Sequence, residues 1–168
     1  TGTSQADAAV LLCAANDGVN AQTREHAFLA RVLGVKQLIV NVNKMDISGV
    51  SYSEDRFNEV CAEVDDLLKM AGFNPADVIK IPCSSFLGEN LYNKSDNMSW
   101  YKGPTLFEAI DGIQMPPKPV DRPLRLPIQD VYKISGIGTV PVGKIETGIL
   151  HAGKTVVFNP SQMSAEVK

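Results

Sequence analysis

From Ala8 to Ala15 the chain reads AAVLLCAA without polar alternation, and QLIVNV from Gln37 to Val42 behaves likewise. Continuous apolar runs of this length predict strands covered on both faces, the pattern of a parallel sheet. Between them Asp17-Gly18 marks a turn. Gln22 to Leu33 is built of good helix formers and closed by Gly34 where a C-terminal cap belongs. Ser53 then precedes Glu54, Asp55 and Arg56, and Phe57, Val60, Cys61, Val64, Leu67, Leu68 and Ala71 recur at spacings of three or four. That is the apolar stripe of an amphipathic helix, ended by Gly72. After Asn74-Pro75, VIKIPC from Val78 to Cys83 predicts a third strand. A long polar loop follows, and Pro104 to Ile113 predicts a helix with proline at its start. Strands alternating with helices predict an α/β fold with a parallel sheet and flanking helices.

The texture changes at MPPKPVDRP, Met115 to Pro123, where four prolines in nine residues favour an extended connector over a helix. A domain boundary is expected there, with residues 1–115 as one domain, 116–123 as a Pro-rich linker and 124–168 as the beginning of another. Beyond it LRLPIQDVYKI, GTVPVGKIETGIL and KTVVFNP are rich in β-branched residues and punctuated by glycine, the pattern of an antiparallel β-domain. Four or five strands fit in that length, fewer than a closed barrel uses, so the chain is expected to be cut at both ends.

Bulk properties narrow the chemistry. Net charge is −3 with a pI near 5.4, so there is no basic stripe for gripping a nucleic-acid backbone. Cys13, Cys61 and Cys83 are odd in number, far apart and set in apolar runs, which fits reduced buried thiols in the cytoplasm better than a disulfide framework or a zinc site. The apolar runs are too short for a membrane span, and no membrane association is expected.

The chemistry concentrates at Asn43-Lys44-Met45-Asp46, directly after the run ending at Val42. A guanine ring offers adjacent donors at N1 and N2, and one carboxylate accepts from both in bidentate, charge-assisted geometry. Asp46 suits that task. Adenine lacks both donors, so a site built on the carboxylate discriminates against it. Asn43 is placed to donate toward the acceptor edge of the base or to brace the loop, the Lys44 stem to lie across the ring, and Met45 is the free position. Ligands of open α/β sheets bind outside the carboxyl ends of strands, where this motif falls.

Three fixed positions match by chance in roughly two per cent of chains this long, and a plain polar turn is the alternative. The same pattern recurs at Asn93-Lys94-Ser95-Asp96, but without a strand before it, and reads there as a solvated loop. Ser84-Ser85-Phe86 strengthens the first copy. It follows the next strand and should emerge at the same sheet edge, where backbone N–H groups and a hydroxyl can meet the base oxygen and steady Asp46. Alone, such a pair is usually a turn or cap. Gly136, Gly138 and Gly143 open no helix and read as turns or close strand contacts, and His26 and His151 as ordinary helix and loop histidines.

Over essentially the whole chain the text resembles the translation elongation factor 1 alpha family, the archaeal and eukaryotic counterpart of bacterial factor Tu, and looks closest to archaeal members. The resemblance rests on SQADAAVLL, DGVNAQTREHAFLARVLGVKQLIVNVNKMD, WYKGPTLFEAID and PVDRPLRLPIQDVYKISGIGTVPVGKIETG. It implies the C-terminal half of a P-loop-type GTPase domain followed by the start of an antiparallel β-barrel domain. It also implies an intact protein that binds GTP or GDP with Mg2+, hydrolyses GTP, and works with aminoacyl-tRNA, the ribosome and a guanine nucleotide exchange factor. By position, Asn43, Lys44, Met45 and Asp46 match the guanine-specificity motif of the family, and Ser84, Ser85 and Phe86 its second base-contact segment, in a Ser-Ser form rather than the commoner Ser-Ala or Ser-Gly. The phosphate loop, the magnesium-binding threonine and the Asp-x-Pro-Gly-His segment of the family fall before Thr1. Magnesium ligands are accordingly expected in that preceding part, and the 168-residue segment is expected to supply guanine recognition only, to bind GTP weakly and to hydrolyse none. The alternatives are a paralogous GTPase (release-factor partner, ribosome-rescue factor or sulfate-activation subunit) or a non-catalytic interaction module.

Overall fold

The computed structural model describes residues 6–168, so Ser4 and Gln5 of the stretch SQADAAVLL lie outside it. Two compact units divide between Met115 and Pro116.

In the first unit, β1 (Ala8–Ala14), β2 (Gln37–Asn43) and β3 (Ile79–Pro82) form a parallel sheet in the order β1-β2-β3. Helix α1 (Ala21–Val32) joins β1 to β2, α2 (Glu54–Ala71) joins β2 to β3 through a short 3-10 turn at Pro75–Asp77, and α3 (Leu106–Asp111) follows the long loop after β3. The side chains of β2 alternate between two cores. Leu38, Val40 and Val42 pack with the inner faces of α1 and α2, while Ile39 packs with Ile81, Cys83 and Ala109 of α3. Helices therefore cover both faces, as a parallel sheet requires. The central strand β2 has five consecutive buried residues. The expectation of burial on both faces of β1 holds only in part: Leu11 and Cys13 are buried, but Leu12, which points to the opposite face, is 56% exposed.

Local chemistry sets the element ends. Asn20 caps α1 by accepting from the Thr23 amide at 2.9 Å, Ser53 caps α2 by accepting from the Arg56 amide at 3.2 Å, and Gly72 ends α2 in the left-handed region. The α2 stripe buries Phe57, Val60, Val64, Leu67, Leu68 and Ala71, with Cys61 half-buried at its margin. Helix α3 is shorter than the sequence predicts. Thr105 and Glu108 form a capping box, so Pro104 precedes the cap instead of opening the helix.

In the second unit, β4 (Ile128–Ile134) pairs with β5 (Gly138–Gly143) and β6 (Thr155–Phe158) with β7 (Met163–Glu166), both antiparallel. Pro119 and Pro123 of the proline-rich stretch accept hydrogen bonds from the Gly148 amide at 3.0 Å and the Thr147 hydroxyl at 2.6 Å.

Candidate functional site

Because β2 and β3 are parallel neighbours, with Val42 opposite Pro82, their C-terminal ends release two loops side by side. Asn43 closes β2, and its Oδ1 accepts from the Lys44 amide at 2.8 Å and across the gap from the Ser85 amide at 2.9 Å. Of the two roles the sequence offered Asn43, the carbonyl oxygen performs the brace. Lys44 is exposed and sits at φ +64°, a left-handed conformation uncommon for a non-glycine residue and typical of ligand clamps. Met45 is not the free position that the pattern suggested. Its side chain is fully buried, its amide donates to the Cys83 carbonyl at 3.1 Å, and its carbonyl accepts from the Tyr52 amide at 2.8 Å. It faces the core because the chain must turn back over the sheet, and so it anchors the loop rather than touching a ligand with its side chain.

Asp46 follows in that turn. It is half-buried, and none of the described residues hydrogen-bonds its carboxylate. Two acceptor oxygens in a partly desolvated position, on a loop fixed at both ends, suit a ligand edge that presents paired N–H donors.

The second segment divides its labour differently from the expectation. Ser84 is fully buried; its hydroxyl accepts from the Leu87 amide at 3.3 Å, and its backbone exchanges hydrogen bonds with Glu89 at 3.2 and 3.0 Å. That hydroxyl holds a turn. Ser85 is exposed with its amide already on Asn43, and Phe86 stands 92% exposed at the open edge.

Several residues behind these loops were not singled out by the sequence. Tyr52 has φ +61° after Ser51 at +49°, and its carbonyl accepts from Trp100 Nε1 at 3.0 Å. Asn90 is buried at φ +56°, donates to the Pro82 carbonyl at 2.9 Å and accepts from the Ser95 amide at 2.8 Å. Glu89 Oε1 accepts from Ser95 Oγ at 3.1 Å and Asn97 Nδ2 at 2.7 Å. Asn90 in a run of polar letters could have been flagged as a left-handed turn former; Tyr52 could not. The repeated pattern Asn93-Lys94-Ser95-Asp96 is less solvated than expected. Asn93, Lys94 and Asp96 are exposed, but Ser95 is buried and ties Glu89 to Asn90.

Burial pushes the Cys83 thiol up to about 12, and the Tyr101 phenol is raised by the same cause. The Tyr52 phenol is raised first by desolvation and then by the neighbouring carboxylates Glu89 and Asp46. Beside the first loop a groove of about 550 Å3 runs along β1 and α1, lined by Cys13, Asn20, Thr23 and His26 and reaching Asn43 and Lys44. Among the described residues no cluster of three His, Cys, Asp or Glu side chains is placed to hold a metal ion. No helix among them is long and apolar enough to cross a membrane.

Residues 1–116 match the family model described as the elongation factor Tu GTP binding domain. An elongation factor 1-alpha of Methanothermobacter thermautotrophicus is 57% identical over 168 residues, all of this chain and 40% of the relative. One from Pyrococcus furiosus is 60% identical over 161 residues, 96% of this chain and 37% of the relative. The chain thus spans about 40% of the length of the curated relatives it matches. A crystal structure of sup35 complexed with GMPPNP aligns with a TM-score of 0.62 at 36% identity, over 98% of this chain and 42% of that one.

Proposed function

This chain belongs to the family of elongation factor Tu GTP-binding domains, and from that premise we propose that its two β-strand loops read the guanine base of GTP or GDP. Asp46 accepts from guanine N1–H and N2–H2. Asn43 holds the Ser85 segment at a fixed distance from it. The exposed Lys44 stem and the Ser85–Phe86 backbone border the ring. The observation that carries the reading is the half-buried Asp46 carboxylate, which no described residue hydrogen-bonds, on a loop locked by Met45 and Asn43.

In the protein to which this segment belongs, the function supported best is that of a cytoplasmic elongation factor that hydrolyses GTP and delivers aminoacyl-tRNA to the ribosome, reloaded by an exchange factor. Identities of 57–60% to archaeal elongation factor 1-alpha sequences favour this reading. Residues up to Met115 act as the C-terminal part of the GTP-binding domain, 116–123 as linker, and 124–168 as the first strands of a β-barrel. Magnesium would neutralise phosphate charge when bound, with ligands from another part of the protein; among the described residues no cluster of three His, Cys, Asp or Glu side chains is placed to hold it. A paralogous GTPase is the second reading, supported by the 36% identity to sup35.

Titration of the chain with GMP, IMP and AMP, followed by the amide NMR shifts of Asn43, Asp46 and Ser85, tests base reading without calling on phosphate contacts. IMP lacks the N2 amino group, so its affinity should fall about tenfold or more below that of GMP, the value of one charge-assisted hydrogen bond. AMP should produce no saturable shift. Equal response to GMP and AMP would contradict the proposal.

A further inference from the structure

From Asn43 to Ser53 the chain leaves β2, carries Asp46 and turns back to the start of α2. The base of this loop is closed where the Tyr52 amide donates to the Met45 carbonyl at 2.8 Å, and inside it the Ile47 carbonyl accepts from the amides of Val50 and Ser51, each at 3.0 Å. Closure strains the backbone. Ser51 and Tyr52 stand at φ +49° and +61°, consecutive left-handed residues neither of which is glycine, asparagine or aspartate. An L side chain in that region crowds the carbonyl oxygen that follows it, so such a pair persists only where the surroundings hold it.

Trp100 holds it from outside the loop. Its Nε1–H donates at 3.0 Å to the carbonyl of Tyr52, the same residue whose amide closes the base. The indole is itself fixed. Its ring centroid lies 5.4 Å from that of Phe57 on the buried face of α2 and 6.3 Å from that of Tyr101. Behind it the Tyr101 amide donates to the carbonyl of the fully buried Met98, and Asn90 donates to the Pro82 carbonyl at the end of β3. Asn43 and Met45 tie the two candidate loops together at the strand ends, and Trp100 ties them again beyond Asp46.

We propose that Trp100 is a positioning residue for guanine recognition: its indole N–H holds the strained Ser51-Tyr52 stem closed and so keeps Asp46 where it meets the base. This rests on the guanine reading proposed above. A bidentate contact tolerates displacement of only about 0.5 Å. Opening of the stem therefore weakens binding in proportion to the fraction of molecules left closed.

The chain has one tryptophan, so a single indole N–H resonance reports the strap. Strap and ligand stabilise each other reciprocally. Saturating the parent chain with GMP should slow solvent exchange of that proton about fivefold, and unchanged exchange would overturn the inference. That measurement needs no variant, so it decides even where a variant does not fold. Trp100→Phe keeps a ring against Phe57 and Tyr101 but has no proton to donate. It should weaken GMP and IMP together, each about fivefold, the size of one neutral hydrogen bond. Ser51 is exposed, and glycine adopts its φ without strain. Ser51→Gly added to Trp100→Phe should accordingly return GMP affinity to within about twofold of the parent. A tryptophan that only supports the core predicts lower urea stability, unaltered GMP affinity in the folded variant and no rescue by Ser51→Gly. Unaltered affinity or absent rescue would overturn the inference and leave the guanine reading in place. A parent chain without preference for GMP over AMP refutes that reading, and the inference with it.

Discussion

At the scale of single residues, the candidate site divides into groups that face a ligand and groups that hold them. Asn43 belongs to the second kind, since one oxygen satisfies two backbone amides from different loops. Asn43→Ala should cost about 1–3 kcal/mol in urea unfolding, because both amides lose their acceptor. Hydrogen exchange at the Ser85 amide should accelerate, and unchanged protection there would mean that the brace is not formed in solution. Asn43, Lys44 and Asp46 could be singled out in the sequence because their types and spacing suit the chemistry of a guanine ring. The burial of Met45 was not, because a four-letter pattern does not say which side chain must turn inward as the chain leaves a strand. Nor was the hydroxyl of Ser84, which a written Ser-Ser pair cannot distinguish from that of Ser85 although one is buried and the other exposed. Tyr52 and Trp100 meet through a hydrogen bond between segments 48 positions apart, information that no local window holds.

At the scale of elements, helix α2 was the most legible, because its cap, stripe and terminal glycine are all local signals that agree. Gly72 sits at φ +87° with only Arg31 Nε near an added Cβ, at 3.5 Å, so Gly72→Ala should cost about 1–2 kcal/mol from backbone conformation alone. Gly148 is a stricter case. At φ +75°, an added Cβ would lie 2.6 Å from Leu124 Cα and N, and strain is then joined by a backbone clash. Gly148→Ala should destabilise the second unit by more than Gly72→Ala destabilises the first, read from denaturant midpoints reported by NMR signals of each unit. Equal or smaller cost would contradict the close approach of residues 124 and 148. The covering of β1 was misjudged for a physical reason: an apolar run records that a strand has faces to bury, not which neighbours supply the cover. The onset of α3 was misjudged because a proline at N1 and a proline just before an N-cap look alike until the capping box is seen.

At the scale of the molecule, the α/β character followed from alternating strand and helix periods, and the strand order β1-β2-β3 puts the two candidate loops at one end of the sheet. Three buried or half-buried thiols give the fold a pH limit. Burial raises Cys13 to about 11 and Cys61 and Cys83 to about 12, from an ordinary value of 9.0. The folded state keeps these protons where the unfolded chain releases them. Their contribution is therefore fully present below pH 9 and lost as pH rises toward 12. Cys83→Ser, which preserves a donor to the Asn90 carbonyl, should flatten the fall in stability between pH 9 and 11 measured by rapid urea unfolding; an unaltered slope would show that Cys83 is not sealed. The central claim is that Asp46 reads the donor edge of guanine, and exchange of base preference tests it most directly. In Asp46→Asn the side chain offers one acceptor and one donor, which matches the N1–H and C2 carbonyl of xanthine. NMR titration of that variant should show XMP bound more tightly than GMP, the inverse of the parent. Retained preference for GMP in the Asn variant, with its fold intact, would contradict the account.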